Sequence, residues 1–195
     1  MSTSFSTRTL LIACAVTVGV AVALELLMGR LPLGPDGRFA FWASDIWSAE
    51  MSQRLFDPYS FTHILHGVLF YWLLWMVMPR ASLSTRAFVA VVLEAAWEVL
   101  ENSPIIIDRY RAVTISLGYE GDSIVNSVGD IVMMALGFVL AARLSVRLSI
   151  LFVVFVELVL LAVLRDNLTL NILMLVYPID AVRDWQMAAA PPVVH

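Results

Sequence analysis

Two histidines, five acidic side chains and two arginines carry most of the chemistry that this sequence can offer, and they come at helical spacings. His63 and His66 stand three apart in FTHILHG. Glu94, Glu98 and Glu101 follow at i, i+4 and i+7 in LEAAWEVLENSP. Asp122, Asn126 and Asp130 fall at i, i+4 and i+8 in GDSIVNSVGD. Residues so spaced share one face of a helix. Carboxylates with imidazoles suit a divalent ion or a two-metal centre, so His63, His66, Glu94, Glu98, Asp122 and Asp130 are the candidate metal ligands. An ion held by His66, Glu98 and Asp122 would activate water, with Glu98, Glu101 and Asp122 as candidate catalytic groups. The Glu-x-x-His pair of di-iron bundles is missing and His-x-x-His stands instead, so the identity of the metal stays open. Arg109 and Arg111 offer planar forks for a phosphate or carboxylate. With Asn126 they are the candidate substrate-binding residues, and Tyr110 and Tyr119 frame the entrance.

The elements that must position these residues are greasy. The chain of 195 residues is 61% hydrophobic and only 14% charged, with a mean hydropathy of +0.86. Soluble domains run to about 25% charged. The composition therefore predicts one all-α integral membrane domain over residues 1–195: a polytopic helix bundle with about five transmembrane helices plus interfacial segments. The expected spans are about 9–28, 61–78, 86–102, 123–142 and 148–164. A net charge of −4 leaves no basic stripe for phosphates, so nucleic acid is not a partner and the lipid bilayer is. All twelve basic residues are arginine, which removes lysine chemistry. Cys14 is the single cysteine. It reads as a small residue on the first span, because only Thr9 to Ala13 separate it from Arg8, too short for a signal core. Ala21-Val22-Ala23 could end a cleaved signal, but Glu25 continues the helix.

Two stretches break the pattern. Residues 40–55 read as interfacial, with Trp42, Ile46, Trp47 and Leu55 on the apolar side of a short surface helix. Residues 168–186 read as a re-entrant or interfacial piece interrupted by Pro178, then an amphipathic DAVRDWQ. Residues 103–122 read as a loop. Arginines in the short connections place the N-terminus on the cytoplasmic side. With helices alternating in direction, every acid inside a span then lies between its middle and its outer end. A charge at bilayer centre costs about 2.5–3.5 kcal/mol on insertion scales, so such groups turn inward and find partners. The polar faces converge on one cavity opening to the outer side.

FTHILHG, EAAWEVLENSPIIIDRYR, GDSIVNSVGD and RDNLTLNILMLVYPIDAVRDWQ together resemble an uncharacterised bacterial family of small multi-pass inner-membrane proteins, known only as a domain of unknown function. The likeness covers roughly Ser60 to Gln186 and the first span. It implies a plasma-membrane location and several spans, and it carries no reaction or catalytic residue. A weaker, fragment-level likeness to VanZ-like proteins rests on Glu94 and Glu98 followed by Asp122, Asn126 and Gly129. It implies a link with the cell envelope and leaves His63 and His66 unexplained.

Three functions remain open on these residues. One is a metal-dependent enzyme working on a lipid-linked or envelope substrate. A second is an ion-coupled transporter using Glu94 and Asp130, which the acid-free inner halves disfavour. The third is a non-catalytic assembly or scaffold subunit whose polar faces only glue helices together. On that bland reading Glu98 pairs with Arg109, Asp122 or Ser123 caps a helix, and Gly67, Gly129 and Gly137 are close-packing positions.

Overall fold

The computed structural model describes residues 5–191. Eight helices make up the fold: α1 (Thr7–Leu27), α2 (Ser60–Val77), α3 (Leu83–Glu101), α4 (Pro104–Val113), α5 (Ile124–Arg143), α6 (Val146–Leu164), α7 (Leu168–Val176) and α8 (Asp180–Met187). No β-strand occurs among the described residues, only an isolated bridge between Trp42 and Phe56. The helix starts are written in the sequence. Ser6, Ser82, Ser123, Ser145 and Asn167 each stand just before a helix and accept the backbone N–H three residues on. That satisfies one of the donors a helix N-terminus leaves open.

Four helices, α1, α2, α5 and α6, are long and apolar enough to cross a membrane. Their outward faces are apolar as well: Leu11, Val16 and Leu27 on α1 and Leu151, Phe155 and Val163 on α6 are all more than half exposed. Water does not tolerate an apolar surface of that extent. The fifth long helix, α3, has 19 residues and differs in carrying Arg86 and three glutamates.

The centre of the bundle is the crossing of α2 on α5, which glycine makes possible. A Cβ on Gly67 would collide with the backbone of Met134 and Phe138, and one on Gly137 with the backbone of Ile64. Around this crossing Leu74, Ala95, Ile131, Met134 and Phe138 form one apolar core, and Leu65 packs with Val156, Leu160, Leu164 and Leu168 in a second. Gly67→Ala is expected to lower stability by about 1–3 kcal/mol, since the obstacle is backbone and cannot swing aside. Thermal unfolding in detergent checks this, with Gly19→Ala, whose Cβ meets open space, as the neutral control.

Two expectations need correcting. Residues 40–55 form no surface helix. The chain from Leu27 to Ser60 runs as turns instead, because its acids bond to nearby backbone: Asp36 accepts from Arg38, Asp45 from Trp47 and Asp57 from Tyr59. Such local bonds compete with helix formation. Arg54, 3% exposed, pins the segment by donating to Asp36, Glu50 and the Arg38 carbonyl. Secondly, residues 103–122 contain α4, opened by Pro104 at its first position, where proline is pre-shaped for a helix and lacks only an unneeded N–H. Residues 168–186 divide at Pro178 into two short helices. Asp166 fastens them to the rest, accepting from Tyr59 at 2.9 Å and from Gln186 at 3.0 Å, while Glu157 accepts the first N–H groups of α7.

Candidate metal centre

Three helix ends meet at the polar end of the bundle. The first turns of α2 supply His63 and His66, the second half of α3 supplies Glu94 and Glu98, and the first half of α5 supplies Asp130. All three polar faces anticipated from spacing therefore turn inward. Glu94 and Glu98 are both 0% exposed.

Glu94 is the hub. Its Oε1 lies 2.6 Å from His63 Nδ1 and 3.1 Å from His66 Nδ1, and its Oε2 is also 3.1 Å from His66 Nδ1. The imidazoles stand edge to face, 4.9 Å between centroids, and Trp97 and Phe70 wall off His66. Donor atoms of a tetrahedral zinc site lie about 3.3 Å apart, given bonds near 2.0 Å. Glu94 stands 3.1 Å from the His66 nitrogen, near that spacing, and 2.6 Å from the His63 nitrogen, a contact an ion would have to open, and the three ligand atoms lie within 4.8 Å of one another. A second group, His63, Glu98 and Glu101, also brings ligand atoms within 4.8 Å of one another. The contacts to Glu94 and to Glu98, the latter 3.4 Å away, both run from His63 Nδ1. One lone pair serves one ion, so through this nitrogen the two groups are alternative settings for the same ion.

Two oxygens of Glu98 and Oδ1 of Asp130 are buried without any hydrogen-bond partner. Leaving a buried carboxylate oxygen unpaired costs free energy, and native structures hold such atoms where a ligand or a proton completes them. Asp130 Oδ2 lies 3.8 Å from His63 Nε2, on the far side of the ring from Glu94.

The remaining expected residues go elsewhere. Glu101 stands by the Tyr110 hydroxyl, so α4 reaches the centre through that tyrosine. Asp122 belongs to neither ligand group. Its carboxylate accepts from Tyr119 Oη and Asn102 Nδ2, each at 2.9 Å, and its N–H donates to Asn102 Oδ1 at 2.6 Å. Asn126 donates to the Arg54 carbonyl at 2.8 Å and so holds the 28–59 segment. Arg109 donates to the Leu175 carbonyl at 2.9 Å and forms no ion pair with Glu98, and Arg111 donates to the Tyr119 carbonyl. Residue spacing had not marked Asn102, the clamp on Asp122, although it stands four residues after Glu98 on the same face. Nor had it singled out Glu25, which is 1% exposed on α1 with both oxygens unpartnered.

Burial lifts the Asp122 carboxyl to about 6, with the nearby Asp57 charge adding to the rise and the Tyr119 and Asn102 hydrogen bonds opposing it. The folded protein therefore holds this proton more tightly than the unfolded chain. Its contribution to stability is full below the ordinary aspartate range, near 4, and is lost as pH climbs to about 6. Asp122→Asn is expected to flatten that decline by up to about 3 kcal/mol. Melting temperatures of both proteins from pH 4 to 7 check it.

A family model described as a protein of unknown function, DUF2585, matches residues 24–188. A UPF0314 protein of Paracoccus denitrificans is 50% identical over 170 residues, covering 87% of this chain and 88% of that protein. One from Novosphingobium aromaticivorans is 52% identical over 175 residues, covering 87% and 88%. One from Sphingopyxis alaskensis is 45% identical over 179 residues, covering 92% and 95%. No solved structure is similar. These matches do not extend to VanZ-like proteins.

Proposed function

We propose that this chain, which belongs to the DUF2585 family of unknown function, is a metal-dependent hydrolytic enzyme of the bacterial plasma membrane that works on a lipid-linked or envelope substrate. The observation that carries the reading is the single carboxylate of Glu94 meeting both imidazoles beside a buried, unpartnered Glu98. Two histidines and one glutamate form a ligand set known from catalytic zinc sites, which keep a further position open for water. Zinc, iron and manganese all accept such a set.

Each residue takes a role its position allows. His63, His66 and Glu94 would hold the ion, which would supply the Lewis acidity that activates water. Glu98, 3.4 Å from His63 Nδ1, would accept a proton from the water as its oxygen bonds to the electrophilic centre of the substrate. The same proton would pass to the alcohol that leaves as the ester bond breaks. Glu101 and Tyr110 stand next in line to pass protons outward. The Asp130 charge, 3.8 Å from His63 Nε2, favours the proton on that nitrogen and leaves Nδ1 for metal. In this account α3 is a fifth crossing, with the N-terminus in the cytoplasm and the centre toward the outer face.

Asp130→Asn is expected to keep the fold and to weaken metal affinity about 10- to 100-fold, the usual effect of losing an orienting partner. Competition with a chelator of known affinity reads this out. The enzymatic reading is tested by incubating purified protein with total envelope lipid, metal-replete against chelated. Metal-dependent release of a head group or acyl chain supports it. Identical lipid profiles from protein that demonstrably contains metal would reduce the reading to a metal-binding protein without hydrolytic activity.

A further inference from the structure

A polar cleft of about 310 Å³ is lined by Arg30, Pro104, Ile107, Asp108, Arg111 and Glu120. We infer that this cleft binds a phosphate ester bearing an ammonium group, the chemistry of an ethanolamine phospholipid head group. The inference rests on the reading of the buried centre as one that acts on an envelope lipid, and it names the class of that lipid.

The two guanidinium groups are held by neighbouring carbonyls of one loop. Arg30 Nη1 donates to the Glu120 carbonyl and Arg111 Nε to the Tyr119 carbonyl. Arg30 crosses directly over Gly121, which sits at φ 91°. A Cβ there would strike the guanidinium and Asn102 Oδ1, so both backbone and space demand glycine. The buried Nε of Arg30 has no hydrogen-bond partner. Arg111 has only a 3.8 Å pairing with Glu120, a side chain 85% exposed. Two anchored forks with spare donors are suited to the oxygens of a phosphate.

The same cleft holds two acids, Asp108 and Glu120. A plain anion would meet their repulsion, whereas a phosphate carrying an ammonium pairs both signs. The volume admits a head group and excludes acyl chains, which would lie against the apolar outer faces of the helices. Through Asn102, which contacts both the Gly121 region and Asp122, the cleft adjoins the polar end of α3.

The test is calorimetric titration of the full-length protein in detergent with dihexanoyl phosphatidylethanolamine, dihexanoyl phosphatidylglycerol, free phosphoethanolamine and inorganic phosphate. Metal content is measured on the same preparation, so a failed cleft and a failed metal centre are told apart. The ethanolamine lipid is expected to bind at least tenfold more tightly than the glycerol lipid or inorganic phosphate. Arg111→Gln should weaken it at least tenfold, and Asp108→Asn should erase the preference over the glycerol lipid. Both side chains are partly or fully exposed, so these variants are expected to fold, and melting curves confirm that they do. Phosphoethanolamine binding as tightly as the lipid upholds the chemistry and makes the source a soluble ester. Equal binding of the two lipids, phosphate binding as tightly, no binding, or an Arg111→Gln protein that binds like wild type overturns the inference.

Discussion

Replacing Glu94 by alanine is expected to abolish metal binding and to destabilise the protein by about 3–5 kcal/mol, the scale for breaking a buried charged pair. The reason is its position as hub. Glu94 is 0% exposed and partners two imidazoles, the buried His63 and the half-buried His66. Removing it leaves His63 facing only Glu98 and Asp130, at 3.4 and 3.8 Å, and opens a void between α2 and α3. Glu94→Gln separates the two effects. The amide keeps the volume and can still bond an imidazole, so most of the stability should return while the metal does not. Chelator competition and thermal unfolding of the three proteins, side by side, check both parts.

Glu98→Gln is expected to behave in the opposite way. It leaves His63, His66 and Glu94 intact, so the ion stays. It removes a buried carboxylate whose two oxygens have no hydrogen-bond partner, so the stability of the metal-free protein should hold steady or rise. What should fall is turnover, by about 10²- to 10⁴-fold, the usual contribution of a positioned general base. A scaffold whose glutamates only fix helix packing predicts instead that Glu94 and Glu98 variants lose stability alike and change nothing else. The contrast between neighbouring positions on one helix face therefore separates an enzyme from a structural subunit. Metal content, unfolding and head-group release on the same preparations read all three quantities.

Much of this arrangement was legible in the sequence, because helical periodicity survives in a bundle. The spacing of His63 with His66 and of Glu94 with Glu98 placed each pair on one face, and the cost of burying charge in a membrane turned those faces inward. Gly67 and Gly137 were read as close-packing sites, and they seat the α2–α5 crossing. Gly129 closes instead against the Leu55 backbone of the turn segment.

The misreadings arose where a local rule met a tertiary partner. Asp122 shares its spacing with Asp130, yet it precedes the first turn of α5, where Asn102 and Tyr119 draw it away from the histidines. Arg109 and Asn126 looked available for a ligand, but each spends a donor on a carbonyl of a distant segment, a pairing that no periodicity reveals; Arg111 is tied only to the nearby Tyr119 carbonyl and keeps its other donors. Residues 103–122 read as a loop, yet Pro104 at the first helical position opens α4. The aromatic stretch around Trp42 carried enough apolar residues for a surface helix, but its Asp residues bonded their own backbone first.

The central claim is that His63, His66 and Glu94 hold a metal ion, and elemental analysis tests it most directly. The protein would be purified in detergent without chelator and without a histidine tag, beside Glu94→Gln and Glu98→Gln. The account predicts zinc, iron or manganese near a single ion per chain in wild type and Glu98→Gln, and none in Glu94→Gln. Folded wild-type protein that contains no metal, and takes up none on incubation with any of these ions, would contradict it.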